Sequence, residues 1–329
     1  MEKEFIQHLF EQDHYLLAPF VAVLCAWALA YLAPLPKQLQ PLLWFNRIAL
    51  LFASKVNHPQ RSTQQRYVAG ILACSILIIP IIIFISVFQY LVAFEYLYEI
   101  LIIYLCLQPQ QHKKITQYMV QAQLQHAPDI AKKQLQTMVD YNCQQLSNIG
   151  LNKAIISWLL TSACYETVGL ILAYFIGGLP LLLLAILSHR LNIAWSELNP
   201  HYHNFGQAIA TLKQWLFWLP SRLWGLTLIM VNMGHDYRLL FKPLNDRPVS
   251  QTNNGYIERI TAAILSIELG GPKQYQQHKV RLAKQTFGQP PTSGDVIKAI
   301  KYYLMGITIW LYVLVLLPII WIFIRYLQF

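Results

Sequence analysis

The chain has 329 residues, of which 56% are hydrophobic and only 12% charged, and its formal net charge is +10. Soluble domains carry about 25% charged residues, so this composition excludes an ordinary water-exposed globular surface and points to a membrane protein. The basic excess lies between apolar runs, where retention of cations beside a membrane and contact with anionic headgroups account for it, and nucleic acid is not an expected partner.

The first apolar run, residues 15–35, predicts a membrane helix despite Pro19, because about 20 helical residues cross the ~30 Å hydrocarbon layer. The preceding Glu2, Lys3 and Glu4 are too acidic for a signal peptide. The next segment holds Lys37, Arg47, Lys55, Arg61 and Arg66 with no acid, which predicts a cytoplasmic loop and an amino terminus outside. Residues 68–107 make a run twice as long as one span and divide best near residues 88–94, so residues 1–107 read as a first bundle of three spans. Glu95 and Glu99 share one helical face at the edge of the third span. Carboxylates there mark either a functional pair or side chains reaching interfacial water.

Residues 108–153 read as a cytoplasmic amphipathic helical segment, in which Ile115, Met119, Leu124, Leu135, Met138 and Val139 interrupt a Gln- and Lys-rich background at helical spacing. Ala127-Pro128-Asp129 divides it, with proline suited to a first helical turn. Such a hairpin either covers an opening between spans or lies on the bilayer surface. Residues 154–193 hold paired spans broken at Gly177-Gly178-Leu179-Pro180, where glycine frees the backbone and proline starts a new helix. Residues 194–301 form a cytoplasmic or interfacial segment; its apolar stretch 215–234 contains Pro220, Arg222, Gly225 and Asn232 and suits a re-entrant or interfacial helix. Residues 302–329 supply a last span with Trp310, Tyr312, Trp321 and Tyr326 along it and Lys298, Lys301 and Arg325 flanking it. The expected fold is therefore all-α: a polytopic helical membrane protein with about six spans and both termini outside.

Common soluble active-site motifs are absent, including the phosphate-binding loop, Gly-x-Ser-x-Gly and His-Glu-x-x-His. The cysteines at 25, 74, 106, 143 and 164 are isolated and read as packing residues. His201-x-His203 is a weak candidate metal pair, with only Glu197 nearby. The most distinctive text is Asn253-Asn254-Gly255-Tyr256-Ile257-Glu258, then Leu269-Gly270-Gly271-Pro272-Lys273-Gln274-Tyr275, then Phe287-Gly288-Gln289-Pro290-Pro291-Thr292-Ser293-Gly294-Asp295. Glycines beside basic groups suit close approach of an anion, and they make equally good turns. Thr292 or Ser293 can cap a helix beginning near Asp295.

These motifs resemble those of the CobD/CbiB family, the membrane-bound adenosylcobinamide-phosphate synthases of cobalamin biosynthesis. The family's Leu-Gly-Gly-Pro-x-x-Tyr fits residues 269–275 closely, its Asn-x-Gly-x-x-x-Glu fits residues 253–258 loosely, and its Asp-Ile-x-x-Ala fits residues 295–299 with valine for isoleucine. Tyr202 with Phe205-Gly206, and Leu219-Pro220-Ser221-Arg222-Leu223, fit two further family elements. The departures fall on acids. The family's Arg-Ala-x-x-Glu-Ser-x-x-Glu-Asn-x-x-Asp run aligns with residues 153–165, where Lys153, Ser157, Thr161, Ser162 and Tyr165 stand; its Asn-Thr-Leu-Asp-Ser aligns with residues 189–193, placing Asn192 at the acid; and its Asp-Asp pair aligns with Lys213-Gln214.

The resemblance implies ATP-driven amide formation between adenosylcobyric acid and aminopropanol phosphate, with Mg²⁺ and ATP required if catalysis survives and a base for the attacking amine. It makes Glu166, Asn192 and Glu258 the candidate catalytic residues and Lys153, Arg190, Asn199, Arg222, Asn254, Gly270, Gly271, Lys273 and Tyr275 the candidate ligand contacts, with no metal held by the protein alone. The loss of acids implies a weakened synthase or a corrinoid-binding protein, with Glu166, Glu197, Glu258 and Glu268 as compensating acids. The alternative is a degenerate sensory or accessory protein resembling the related AmpE-like family. Either reading places the chain in a bacterial inner membrane, among lipid; the cobalamin reading adds a corrinoid ligand and a second copy or other cobalamin-assembly proteins as expected partners.

Overall fold

A capping box opens the longest buried-to-lipid helix of the first bundle: Ser62 Oγ accepts from Gln65 N–H at 3.3 Å and Gln65 Oε1 accepts from Ser62 N–H at 3.1 Å. The structure, a computed structural model, describes residues 13–107, 109–232, 238, 251–275 and 278–328; Glu2, Lys3, Glu4 and Gly234, invoked above, lie outside them. In chain order the helices are α1 (His14–Leu32), α2 (Pro41–Val56), α3 (Thr63–Leu91), α4 (Glu95–Cys106), α5 (Pro109–Leu124), α6 (Pro128–Gln136), α7 (Asn148–Ala163), α8 (Gly169–Ala194), α9 (His203–Leu216), α10 (Trp218–Val231), α11 (Thr252–Leu265) and α12 (Ser293–Gln328).

Four helical stretches are long and apolar enough to cross a membrane: α1, α3, α12, and α7 with α8 as one run, Asn148–Ala194. Their outer faces carry large apolar side chains, Ile79, Ile83 and Phe84 on α3 and Leu316, Ile319 and Ile320 on α12 among them, as a lipid solvent requires. The six apolar segments expected from the sequence are all helical. The expected third span is the 12-residue α4, which at 1.5 Å per residue covers about 18 Å, short of the ~30 Å layer. Pro80 and Pro318 lie inside α3 and α12 without ending them, which apolar surroundings and neighbouring helices permit.

Two observations set the vertical scale. Arg325 pairs with the buried Asp13 at 2.9 Å, so the start of α1 and the end of α12 lie on one side. Between Tyr303 and Arg325 α12 covers about 33 Å, one hydrocarbon thickness. Tyr303 therefore marks the opposite interface, where the Leu35 carbonyl just beyond α1 accepts from Gln40 and Gln111 at 3.1 Å each.

The expected break at Gly177–Pro180 is a full reversal. Gly177 and Gly178 leave helical geometry inside α8, Gly178 at φ 60° and ψ −155°, a region only glycine occupies without strain. Glu166 and His189 touch at 3.2 Å, whereas an unbroken helix would hold them about 34 Å apart. Phe175 beside the turn meets Phe20 of α1, ring centroids 4.6 Å apart, so the turn points toward the Asp13 side and the open end of the hairpin toward the Tyr303 side. Before it, a π-helical turn, Cys164–Val168, carries Glu166.

The amphipathic segment divides where expected, with Pro128 at the first turn of α6. The interfacial reading of residues 215–234 corresponds to α10, 14 residues long. One element departs from an all-helical chain: residues 268–275 and 278–286 form a nested antiparallel ribbon, β1 (Glu268–Gly270) with β4 (Lys284–Thr286) outside and β2 (Lys273–Tyr275) with β3 (His278–Val280) inside. Gly270 (φ 73°) and Gly271 (φ 108°) turn the chain between β1 and β2.

Candidate functional site

At the open end of the hairpin, side chains from α7, the π turn, α8, α9, α11 and the ribbon meet around a small cavity of about 90 Å³. Ser157, Thr161, Ser162 and Tyr165 recur at helical spacing and line it together. Asn192 and Lys213 join them across the cavity. The positions where the family resemblance places polar and acidic groups thus converge on one point.

A strap of residues 138–141, following α6, crosses this cavity and divides it from two larger chambers. The strap borders a chamber of about 640 Å³ on the side of Arg190, Asn199 and α2. On the other side Tyr141 borders one of about 530 Å³ with Lys153, Gly270 and Gly271. Glu166 lines the central cavity and the first chamber; Glu258 and Lys273 line the central cavity and the second. The strap is held by Asn142 N–H donating to the Gln274 carbonyl at 2.7 Å and by Tyr275 OH donating to Asp140 Oδ2 at 3.2 Å.

Of the candidate residues, Glu166, Asn192, Glu258, Asn254, Lys273 and Tyr275 line the central cavity, and Lys153, Gly270, Gly271, Arg190 and Asn199 line the chambers. Arg222 lines none of the three. Its guanidinium stacks 3.6 Å over Tyr256 and donates to Asn253 Oδ1 at 3.0 Å, which steadies the first turn of α11 beside Asn254. Asp140 and His112 were not singled out by the sequence, since neither stands in a motif; the nearest signal was the reading of residues 108–153 as a hairpin that covers an opening between spans or lies on the bilayer surface. Among the compensating acids, Glu268 binds Lys153 and Lys284, which lower its pKa. The Glu197 carboxyl is raised by burial, and its carbonyl receives His203 Nδ1 at 2.8 Å.

Glu166 holds Arg190 Nη2 at 3.2 Å, His112 Nε2 at 2.8 Å and His189 Nε2 at 3.2 Å, and His112 Nδ1 reaches Tyr303 OH at 3.3 Å. Tyr165 stacks on His189 and its hydroxyl donates to Asn254 Oδ1. Lys213 donates to Asn192 Oδ1 at 3.2 Å and sits 4.0 Å over the Tyr165 ring. Burial pushes its amine down to about 8, with Lys273 adding and Asp140 opposing. Among the described residues no group of three or more His, Cys, Asp or Glu side chains is arranged to hold a metal ion. His201-x-His203 is part of no such group.

The family model for the CobD/Cbib protein matches residues 23–303. The chain belongs to the CobD/CbiB family. It is similar to the cobalamin biosynthesis protein CobD of Stutzerimonas stutzeri, 24% identical over 303 residues, 91% of this chain and 97% of that one. The probable cobalamin biosynthesis protein CobD of Thermococcus kodakarensis is 26% identical over 92% of this chain and 95% of its own. The CobD of Synechocystis is 30% identical over 44% of this chain and 42% of its own. No solved structure matches the chain. This CobD/CbiB member is divergent from the relatives that span most of it, at 24% and 26% identity.

Proposed function

We propose that this chain binds adenosylcobyric acid in the cleft formed by the central cavity and its two chambers, and joins it to aminopropanol phosphate at a reduced rate. The observation that carries this reading is the convergence of motif positions from α7, α8, α9, α11 and the ribbon on one cavity flanked by chambers of about 640 and 530 Å³. A corrin rimmed with amides needs many hydrogen-bonding groups on a wide surface, which the chambers offer through Asn199, Lys153 and the backbone at Gly270 and Gly271. Mg-ATP, entering as a substrate, would supply the activation of the acid's carboxylate. Glu258 is then placed to take a proton from the attacking amine, while Glu166 fixes Arg190 and the two histidines, and Asn192 orients Lys213. The cleft faces the cytoplasm of a bacterial inner membrane, and a second copy or other cobalamin-assembly proteins are its partners.

A second reading, a sensory or accessory protein that binds without turnover, is favoured by the neutral or cationic residues Ser157, Thr161, Asn192 and Lys213 at the resemblance's acid positions. An amide-forming assay of the detergent-purified protein with adenosylcobyric acid, aminopropanol phosphate and Mg-ATP separates the two. Product that is lost in Glu258→Gln supports the weakened synthase. Binding without product supports the accessory reading, and neither binding nor product contradicts both.

A further inference from the structure

The buried and half-buried cations near the cleft fall into two classes. Arg190 and Lys153 each meet a carboxylate, Glu166 and Glu268. Lys213 does not: it is only 6% exposed, its amine has one hydrogen bond, to the neutral amide of Asn192, and its other contact is the face of Tyr165. Lys273 lines the same cavity, with the Tyr141 ring 4.8 Å from its amine. No ion pair is formed by either lysine among the described residues. An ammonium taken out of water is costly unless an opposite charge meets it, and the half-buried Lys273 in the same cavity adds repulsion to the Lys213 amine, which Asp140 and Glu166 oppose.

We infer that Lys213 and Lys273 form a direct binding subsite for a phosphate-like oxyanion that works without a divalent cation. This rests on the proposed function for its place in the cleft, and goes beyond it in assigning to two side chains the charge that a metal would otherwise supply. Lysine meets phosphate as a point charge with up to three donors, and the Asn192 amide holds the Lys213 amine in place. A cavity of about 90 Å³ has room for one small tetrahedral anion, so the subsite takes a terminal or free phosphoryl group. Asp140, Glu166 and Glu258 also border the cavity. Glu166 is paired with Arg190 and Asp140 accepts from Tyr275, so an anion here would be met by the two lysine amines.

The test is calorimetric titration of the full-length protein in detergent with inorganic phosphate, in excess chelator and again with Mg²⁺. The subsite predicts saturable binding in chelator that Mg²⁺ leaves within twofold, that falls at least tenfold in Lys213→Met and in Lys273→Met, and that returns in Lys213→Arg. The double variant Lys213→Asp with Gln214→Asp should bind phosphate only when Mg²⁺ is added. Binding that requires Mg²⁺ in the unaltered protein, or that survives Lys213→Met, overturns the inference. Adenosylcobyric acid titrated into the same variants separates this outcome from failure of the proposed function: corrinoid binding retained with phosphate binding lost condemns neither, and corrinoid binding absent throughout condemns only the latter.

Discussion

Glu166 sits where α7 gives way to a π turn, and the extra residue in that turn aims its carboxylate at Arg190, His112 and His189 together. Its side chain is 12% exposed and that of Arg190 14%, so truncating the acid leaves a buried guanidinium unpaired. Glu166→Ala should therefore destabilise by about 3–5 kcal/mol, read as a lowered thermal midpoint in detergent, while Glu166→Leu with Arg190→Met should recover part of the loss. Lys213 gives a pH prediction whose sign follows from its amine being lowered to about 8. The charged form is present below that value, so sulfate affinity should be level at lower pH and fall about tenfold per unit above it; Lys213→Arg should abolish that fall. The groups facing Lys213 are Lys273, Asp140, Cys164 and Glu166, with Glu258 on the same cavity, and sulfate itself does not titrate there. A profile flat through pH 10 contradicts this.

At the scale of elements, the helices were legible because lipid and helix period each leave a strong pattern: residues 304–327 lie within α12, and Ala127-Pro128-Asp129 gives the start of α6. The glycine pair at 177–178 announced the turn between paired spans, and the Glu166–His189 contact adds that both arms reach one cavity. The ribbon was not legible, since three-residue strands bounded by Gly-Gly-Pro look like any turn. Nor was the capping role of Asp295, whose carboxylate accepts from Thr292 N–H and hydroxyl at 2.9 and 2.8 Å, reversing the expected direction of the cap. Glu95 and Glu99 both accept from Gln89 at 2.8 Å, and Glu99 also from Tyr174 at 2.7 Å, so they tie α4 to α3 and α8. Gly206 lets α9 approach the turn after α8: a Cβ there would lie 1.8 Å from the Trp195 carbonyl oxygen. Gly206→Ala should therefore yield little monodisperse protein on size-exclusion chromatography, whereas Gly294→Ala, whose nearest contact is 3.5 Å, should behave as the unaltered chain.

For the whole molecule, the Asp13–Arg325 pair and the length of α12 place the cleft about one hydrocarbon thickness from the chain ends. With basic residues gathered on the cleft side, the ends should face outside. Impermeant maleimide applied to intact cells should label Gln328→Cys and spare Gln60→Cys, in a background lacking Cys25; the reverse pattern would invert the orientation. The candidate residues were legible as scattered motifs, and folding adds what no motif contains: the meeting of the hairpin's two arms at one cavity, the strap with Asp140, and the unpaired Lys213 beside them. A large ligand must engage both chambers at once, with the strap between them. The most direct measurement of that claim is a calorimetric titration of adenosylcobyric acid into the purified full-length protein. Saturable binding near one ligand per chain is expected, weakening at least tenfold in Asn199→Leu on one chamber and in Lys153→Met on the other; absence of binding, or binding indifferent to both substitutions, would rule out a ligand that spans the two chambers.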